Sequence, residues 1–594
     1  MFSLIGYILL FISLIGYFTF FSKRFNIKHE LIPILIFSTT ILLLYIGALL
    51  NVLYYSSAII LFTGIGLLFY YLISKKLTFS DIKNIFTPSI IVFILSCIII
   101  IVFYTNTKLI SYDNFSHWGL IVKQMWMDNR LPNFSNIMIN FKSYPPGSAL
   151  FIYYITNIIG KTEGNMLIAQ NILSLSCILT LFSFMRNKKF LCYYIVIIVL
   201  SPFMLSFPSN MNDLLVDSLL ALFALANSAL IIYYKSDLKK AALLSIPIMS
   251  SALLIKNSSI IFNIFNIILL LILYVKTDKL NRKKDRSFVF IILSALTPFI
   301  FLFLWSKHVN LVYPVETLSS SKHSMNLSYY LETLSGKSSD DIRNIFSIFL
   351  ERATSLSDSG NKLFLIWNII IICFFALNNY FNKIKSWKFI SYLIYVDIAY
   401  LIYQIGLLGM YLFSMPTGEA MVLASYGRYN STIITYIIGF LIILIFKELF
   451  SKKNKIVLLK WFVTIVICVV TAYTFNISNL ISRLSLKPTI HSNIVDTFDN
   501  CIVNIKDTQN KSFIIYSPFS EKDGGYTHYL SRYKLYTNKI KVVASFKDKK
   551  EFNDIVKDFD YLIVLEDNED IKELLNTVSN NNSYIGSYLI KDLN

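Results

Sequence analysis

The chain has 594 residues, 55% of them hydrophobic and only 15% charged, with a mean hydropathy of +0.60. A soluble domain covers its surface with about 25% charged residues, so the composition excludes an ordinary soluble protein. A net charge of +19 would suggest nucleic acid in a soluble chain, but here most Lys and Arg sit in short loops between apolar blocks. There they set orientation and meet anionic lipid headgroups, and no nucleic-acid motif is present.

A block of ~20 apolar residues spans the ~30 Å hydrocarbon core as a helix, because a helix satisfies its own backbone there. The first block, Phe2 to Phe21, has no basic residue before it and no small-residue cleavage site after it, so it reads as a retained helix. The many Phe and Tyr read as lipid contact and interfacial anchoring. Cys97, Cys177, Cys192, Cys373 and Cys468 lie in apolar blocks and Cys501 in the polar tail; no pairing framework or CxxC implies a disulfide or a thiolate metal site.

Basic loops mark the cytoplasmic side. In order they are Ser22–Glu30, Lys75–Lys76, Arg186–Lys189, Lys235–Lys240, Lys276–Arg286, Asn379–Lys388 and Lys447–Lys455. The connections between them are then external: Asn51–Ser57, Thr105–Pro146, Ser206–Asp213, Lys256–Ser258, Lys307–Asn361 and Ser414–Asn430. Alternation holds if the short apolar segment Gly147–Ile159 lies at the outer face, as segments of about 10–14 residues do when interfacial or re-entrant. The expectation is an α-helical polytopic protein of the plasma membrane, with roughly 14 spans over residues 1–480, one outer-face helix and the N-terminus outside. Residues 485–594 alternate strand-like runs (Ser512–Tyr516, Lys541–Ser545, Tyr561–Leu565) and helix-like runs (Lys549–Phe559, Asn568–Val578). They predict a small extracytoplasmic α/β domain with no phosphate loop and no metal-ligand spacing.

Polar chemistry collects on the predicted outer side. The first long loop holds Ser111-Tyr-Asp-Asn-Phe-Ser-His-Trp-Gly119. If this run is helical, Asp113 and His117 share a face, and Trp118 is an interfacial anchor. A helix N-cap at Asp113 in a solvated loop explains it equally well. Tyr144-Pro-Pro-Gly147 closes the loop, with the prolines fixing the start of the next helix. Asp213 and Asp217 lie four apart at the outer start of a span, and first-turn carboxylates meeting the helix dipole explain Asp213 better than the deeper Asp217. Lys256 stands between two apolar blocks and is a candidate ligand or a snorkelling lysine. Arg428, followed by Tyr429, can clamp a phosphate bidentately or contact a headgroup. Acids and bases in one layer suit a reaction between a hydroxyl and a lipid phosphate.

This order of features resembles the GT-C superfamily of polytopic glycosyltransferases, which includes the protein O-mannosyltransferases and the aminoarabinose transferases of lipid A. The resemblance rests on Asp113 after the span ending near Tyr104, Tyr144-Pro145-Pro146, Asp217 in Asp-Ser-Leu-Leu-Ala-Leu-Phe, Lys256, and more weakly Arg428-Tyr429. It implies transfer of a sugar from a polyprenyl-phosphate donor to a hydroxyl of a cell-envelope glycan, lipid or protein, usually with inversion. In that frame Asp113 is the base, and Lys256 and Arg428 hold the lipid phosphate. Asp213 or Asp217 orients the acceptor or Lys256, while His117, Trp118 and Tyr144 line the sugar site. The helix Gly147–Ile159 forms part of the groove, and the C-terminal domain covers the site or binds the acceptor. Many relatives carry Asp-Glu where this chain has Asp113-Asn114, so the acidic pair for a metal is missing and a divalent ion is left open.

Two other classes compete. A polymerase or ligase of lipid-linked polysaccharide would use the loop Lys307–Asn361, with His323, Arg343 and Arg352. A transporter of lipid or polysaccharide would want charges deep in several helices, whereas Asp397 is one of few such charges.

Overall fold

A computed structural model describes residues 2–76, 78–134, 138–184, 211–277, 286–314, 327–382, 389–449, 489–575 and 584–592. The chain divides into two compact units. One is Met1–Thr107, Met125–Asn133 and Phe141–Leu484; the other is Lys108–Gln124, Phe134–Asn140 and Ser485–Asn594.

The first unit is helical. Among the described residues ten helices are long and apolar enough to cross a membrane, so the chain is a multi-pass membrane protein. Pro88–Tyr104 and Asp217–Tyr233, of 17 residues each, are apolar but shorter. At 1.5 Å per residue each is about 26 Å long, close to the ~30 Å of the hydrocarbon core. The spans expected between Lys189 and Ser206 and between Lys455 and Phe475 lie outside the described residues, as do the loop Arg186–Lys189 and His323.

Exposure sorts these helices. Leu53–Ile73 presents Ile59 and Phe62, and Pro88–Tyr104 presents Val102 and Phe103, as large exposed apolar side chains that suit lipid. Ile32–Leu49 is buried nearly all round. Phe2–Phe25 and Leu53–Ile73 approach at Gly16 and Gly64, where a Cβ on Gly16 would collide with the Gly64 carbonyl. Small residues at such crossings replace the hydrophobic drive that is absent inside lipid.

Of the two settings expected for the helix Gly147–Ile159, interfacial and re-entrant, its burial decides against the first. It buries Gly147 through Thr156 and Ile159. It packs among Phe2–Phe25, Ile32–Leu49, Glu163–Leu179 and Leu238–Ile255. An interfacial helix would keep one face exposed; enclosure by protein is the setting a re-entrant helix needs.

The second unit contains a four-stranded sheet. Its strands are β1 (Phe513–Tyr516), β2 (Ile540–Val543), β3 (Tyr561–Val564) and β4 (Gly586–Leu589), in the order β2-β1-β3-β4. β1 pairs in parallel with β2 and β3, and β4 closes one edge antiparallel to β3. The central β1 is buried throughout, as a strand covered on both faces must be. Helices Lys549–Val556 and Glu569–Leu575 supply Phe552, Val556, Ile571 and Leu575 to a core shared with Ile514, Leu562 and Val564. β4 and the helices Ile490–Ile502 and Tyr526–Leu535 are not among the runs expected from the sequence.

Within this unit, residues 108–124 and 138–140 pack on C-terminal helices. Tyr526, Tyr529 and Tyr533 form a stripe on Tyr526–Leu535. Phe115 sits 5.7 Å from the Tyr526 ring and 5.2 Å from that of Tyr533, and Tyr112 lies 5.0 Å from Tyr529. The Tyr526 hydroxyl donates to the Ile110 carbonyl (2.9 Å), and Arg532 donates to the Met138 carbonyl (3.1 Å). Lys108 bridges Asp496 and Asp499, both at 2.8 Å.

Candidate functional site: a carboxylate shared by two cations

Three helices of the first unit carry the site: α1 (Asp217–Tyr233), α2 (Ile260–Val275) and α3 (Tyr426–Leu449). A buried polar layer ties them together at mid-length. The Ser228 hydroxyl donates to Asn266 Oδ1 (2.8 Å) and shares a hydrogen bond with the Tyr436 hydroxyl (3.1 Å). Tyr436 meets the Tyr395 hydroxyl at 2.8 Å, and Tyr395 donates to the Phe265 carbonyl (2.9 Å). Interhelical hydrogen bonds of this kind fix rotation where apolar packing alone is permissive. The tyrosines here are buried and hydrogen-bonded, which corrects their reading as lipid contacts.

At the N-terminal ends of these helices five of the singled-out residues come together. Asp217 is the first residue of α1. Its Oδ1 lies 3.0 Å from Lys256 Nζ and its Oδ2 lies 3.4 Å from Arg428 Nε. The Asp217 side chain is only 4% exposed, and those of Lys256 and Arg428 are 14% and 24% exposed. Lys256 ends the helix Leu238–Ile255 in an extended conformation and precedes a short turn, Asn257–Ser259, that enters α2. The lysine is therefore held at a break between two spans. Arg428 sits in the first turn of α3, after a tight reversal with Leu423 and Ser425 at positive φ. The ring of Tyr429 lies 5.3 Å from the Arg428 guanidinium and 5.8 Å from the Lys256 ammonium.

Tyr144 reaches the same place through the Tyr-Pro-Pro-Gly turn. A Cβ on Gly147 would meet the backbone of Leu254 at 2.7 Å, so only glycine lets this turn lie against the end of Leu238–Ile255. Tyr144 stands three residues before that contact and Lys256 two residues after it, which is why they converge. Burial pushes the Tyr144 phenol up to about 12, so it stays neutral and can donate a hydrogen bond. Burial alone would lower the Lys256 pKa, but the Asp217 carboxylate beside it outweighs that cost and holds the ammonium above its ordinary value.

The trio has one negative and two positive groups, hence a surplus of one positive charge. Two of its members, Asp217 and Lys256, line a cavity of about 530 Å³ together with Tyr144, Tyr403 and Tyr429, with apolar walls from Leu220, Phe262, Leu407 and Phe413. Tyr403 was not singled out from the sequence; its hydroxyl donates to the Tyr429 carbonyl (3.2 Å) and it lines the cavity from Ile390–Phe413. A second hydrogen-bonded set braces the start of α3, with Gln404 donating to Asn430 (2.8 Å) and Asn430 donating to Asp358 (3.0 Å).

Other expected members fall elsewhere. Asp213 is not in the first turn of the span with Asp217, because α1 begins at Asp217. The Asp213 carboxylate accepts from the Leu215 N–H (3.1 Å), a local turn that competes with helix formation. No residue of Gly147–Ile159 lines the cavity, so the short helix is not part of that groove. Asp113, His117 and Trp118 belong to the second unit. There Asn114–Trp118 forms a π-helical turn that Asp113 precedes without capping it through its side chain. His117 and Trp118 are buried, with ring centroids 4.7 Å apart, so Trp118 is not an exposed anchor. In the loop that a polymerase would use, Arg343 is exposed, and Arg352 lies 3.7 Å from Asp358 and over the Tyr426 ring. Among the described residues no three His, Cys, Asp or Glu side chains are grouped to hold a metal ion.

No protein-family model, curated protein or solved structure matches the chain. The chemistry of the cluster therefore carries the functional reading.

Proposed function

We propose that the protein is a GT-C-like membrane glycosyltransferase that moves a sugar from a polyprenyl-phosphate donor to a hydroxyl of a cell-envelope acceptor. The observation that supports this most is the Asp217–Lys256–Arg428 cluster at an amphipathic cavity. A lipid-linked phosphate needs a fixed cation for its head and apolar walls for the start of its chain; Lys256 and the apolar walls line one cavity, and Arg428 is paired with Asp217 beside it.

In this reading the acceptor oxygen attacks the anomeric carbon and its proton passes to a carboxylate base, a role given to Asp113 by the resemblance alone. The bond from the anomeric carbon to the phosphate oxygen breaks, and its electron pair leaves with the polyprenyl phosphate. Lys256 and Arg428 stabilise that developing charge; preorganised donors of this kind are worth about 10²–10³ in rate. Asp217 positions both cations so that little reorganisation accompanies the reaction.

The test compares cell-envelope glycans by mass spectrometry in cells carrying the wild type, Asp113→Asn, Lys256→Met or Arg343→Ala. The expected result is loss of one glycan modification in the first two variants at normal membrane levels. Loss only in Arg343→Ala would favour the polymerase reading.

A further inference from the structure

The same three helices end in a second cavity. α1 is followed by Lys235, α2 by Lys276, and α3 carries Lys447 in its last turn. At 1.5 Å per residue, Lys235 lies about 27 Å along the helix direction from Asp217, close to one hydrocarbon thickness. These three lysines line a space of about 700 Å³, larger than the cavity at the other end.

Its wall chemistry is specific. The ammonium groups of Lys276 and Lys447 lie 5.5 and 5.0 Å from the centroid of one ring, that of Tyr392. Among the described lining residues Glu448 is the only acid, and its carboxylate accepts from the Asn378 side chain (3.4 Å). The lining thus has three lysines against one carboxylate. Lysines at helix C-termini are favourable singly, since they meet the dipole. Gathering three around one concave space sets them against one another, and a bound anion removes that repulsion. Below the cations the wall is Leu273, Phe375 and Leu444, so the space accepts apolar substance as well as charge.

We propose that this cavity is a binding site for a phosphate-bearing anion, supplied either as the headgroup of an anionic lipid or as a soluble phosphate compound. The site is separate from the Asp217 cluster and stands whether or not the protein transfers sugar. Lys447 approaches from α3, Lys276 and Lys235 from the ends of α2 and α1, and Tyr392 keeps two of the ammonium groups facing the space.

The experiment uses the full chain in phosphatidylcholine nanodiscs doped with phosphatidylglycerol, read by native mass spectrometry, with calorimetric titration of inorganic pyrophosphate as a second arm. Lys235→Ala/Lys276→Ala/Lys447→Ala is compared with Lys75→Ala/Lys76→Ala in another basic loop. The triple variant is expected to lose about tenfold or more in one arm, the size that removing charge-assisted hydrogen bonds produces. Loss of retained phosphatidylglycerol identifies a lipid headgroup, and loss of pyrophosphate binding identifies a soluble phosphate. No loss in either arm beyond that of the Lys75/Lys76 variant overturns the proposal. If the triple variant does not fold, Lys276→Ala alone, at an exposed side chain, carries the same comparison.

Discussion

α1, α2 and α3 are charged at both ends, but the two ends are built differently. At the N-terminal ends one carboxylate sits between two cations, nearly out of solvent, and each oxygen of Asp217 faces a different partner. At the C-terminal ends three lysines gather, and among the described lining residues the one acid, Glu448, accepts a hydrogen bond from Asn378. A shared buried carboxylate fixes the positions of its cations before any ligand arrives. A group of lysines on flexible stems can only attract one. The first arrangement suits catalysis, which needs preorganisation, and the second suits binding.

The largest test of this contrast is to remove the shared acid. Asp217→Ala leaves two cations near each other with little water, and breaking such a buried pair costs about 3–5 kcal/mol. Lys447→Ala at the opposite end is expected to leave thermal unfolding in detergent nearly unchanged. Equal losses in the two variants would mean that both ends are structural in the same way.

Next comes Lys256→Met, which keeps the apolar stem and removes the charge. Transfer is expected to fall about 10²–10³-fold with a smaller change in melting temperature. A variant that melts early yet retains its rate would make Lys256 a structural residue only.

Gly147→Ala probes how Tyr144 is brought to the cluster. The added methyl meets the Leu254 backbone, so the turn and the helix end must separate, at about 1–3 kcal/mol. Activity is expected to drop more than stability, because Tyr144 and Lys256 move apart. Smaller still is Tyr436→Phe, which removes hydrogen bonds to Ser228 and Tyr395 midway between the two ends. Such bonds inside membrane bundles average about 0.6 kcal/mol, so a shift of that order in unfolding is expected.

The smallest expected effect is that of alkaline pH on the cluster. The folded pKa of Lys256 is raised above the unfolded lysine value of about 10.4. Its ion pair with Asp217 therefore contributes fully below that pH and is lost only as pH rises through the higher folded value. The transfer rate should show no lysine limb between about pH 7 and 9.5. A limb near pH 8 that disappears in Lys256→Met would contradict the pairing.

How much of this was legible in the sequence follows from what each residue stands against. The spans were readable because apolar blocks separated by basic loops have few other meanings. Asp217, Lys256 and Arg428 were readable as single charges at the borders of apolar blocks. Their convergence was expected only through the resemblance; spacing does not give it, because it depends on the rotation of three helices, which Ser228, Asn266 and Tyr436 set from inside. Tyr403 and Tyr436 were hidden among aromatics whose common role in a membrane protein is to meet lipid. Asp213 was misjudged because spacing alone does not show that its carboxylate closes a turn before α1 begins. The attachment of residues 108–124 to Tyr526–Leu535 joins segments about 400 positions apart. In retrospect Tyr526, Tyr529 and Tyr533, spaced along one face of a short helix, were the visible half of that contact.

The most direct measurement is a cryo-electron microscopy map of the full chain in nanodiscs with a polyprenyl phosphate added. The account predicts phosphate density within contact of Lys256 and Arg428, with the lipid chain running along Leu220, Phe262 and Leu407. Density at the lysine cavity alone, with the Asp217 cluster unoccupied, would contradict it.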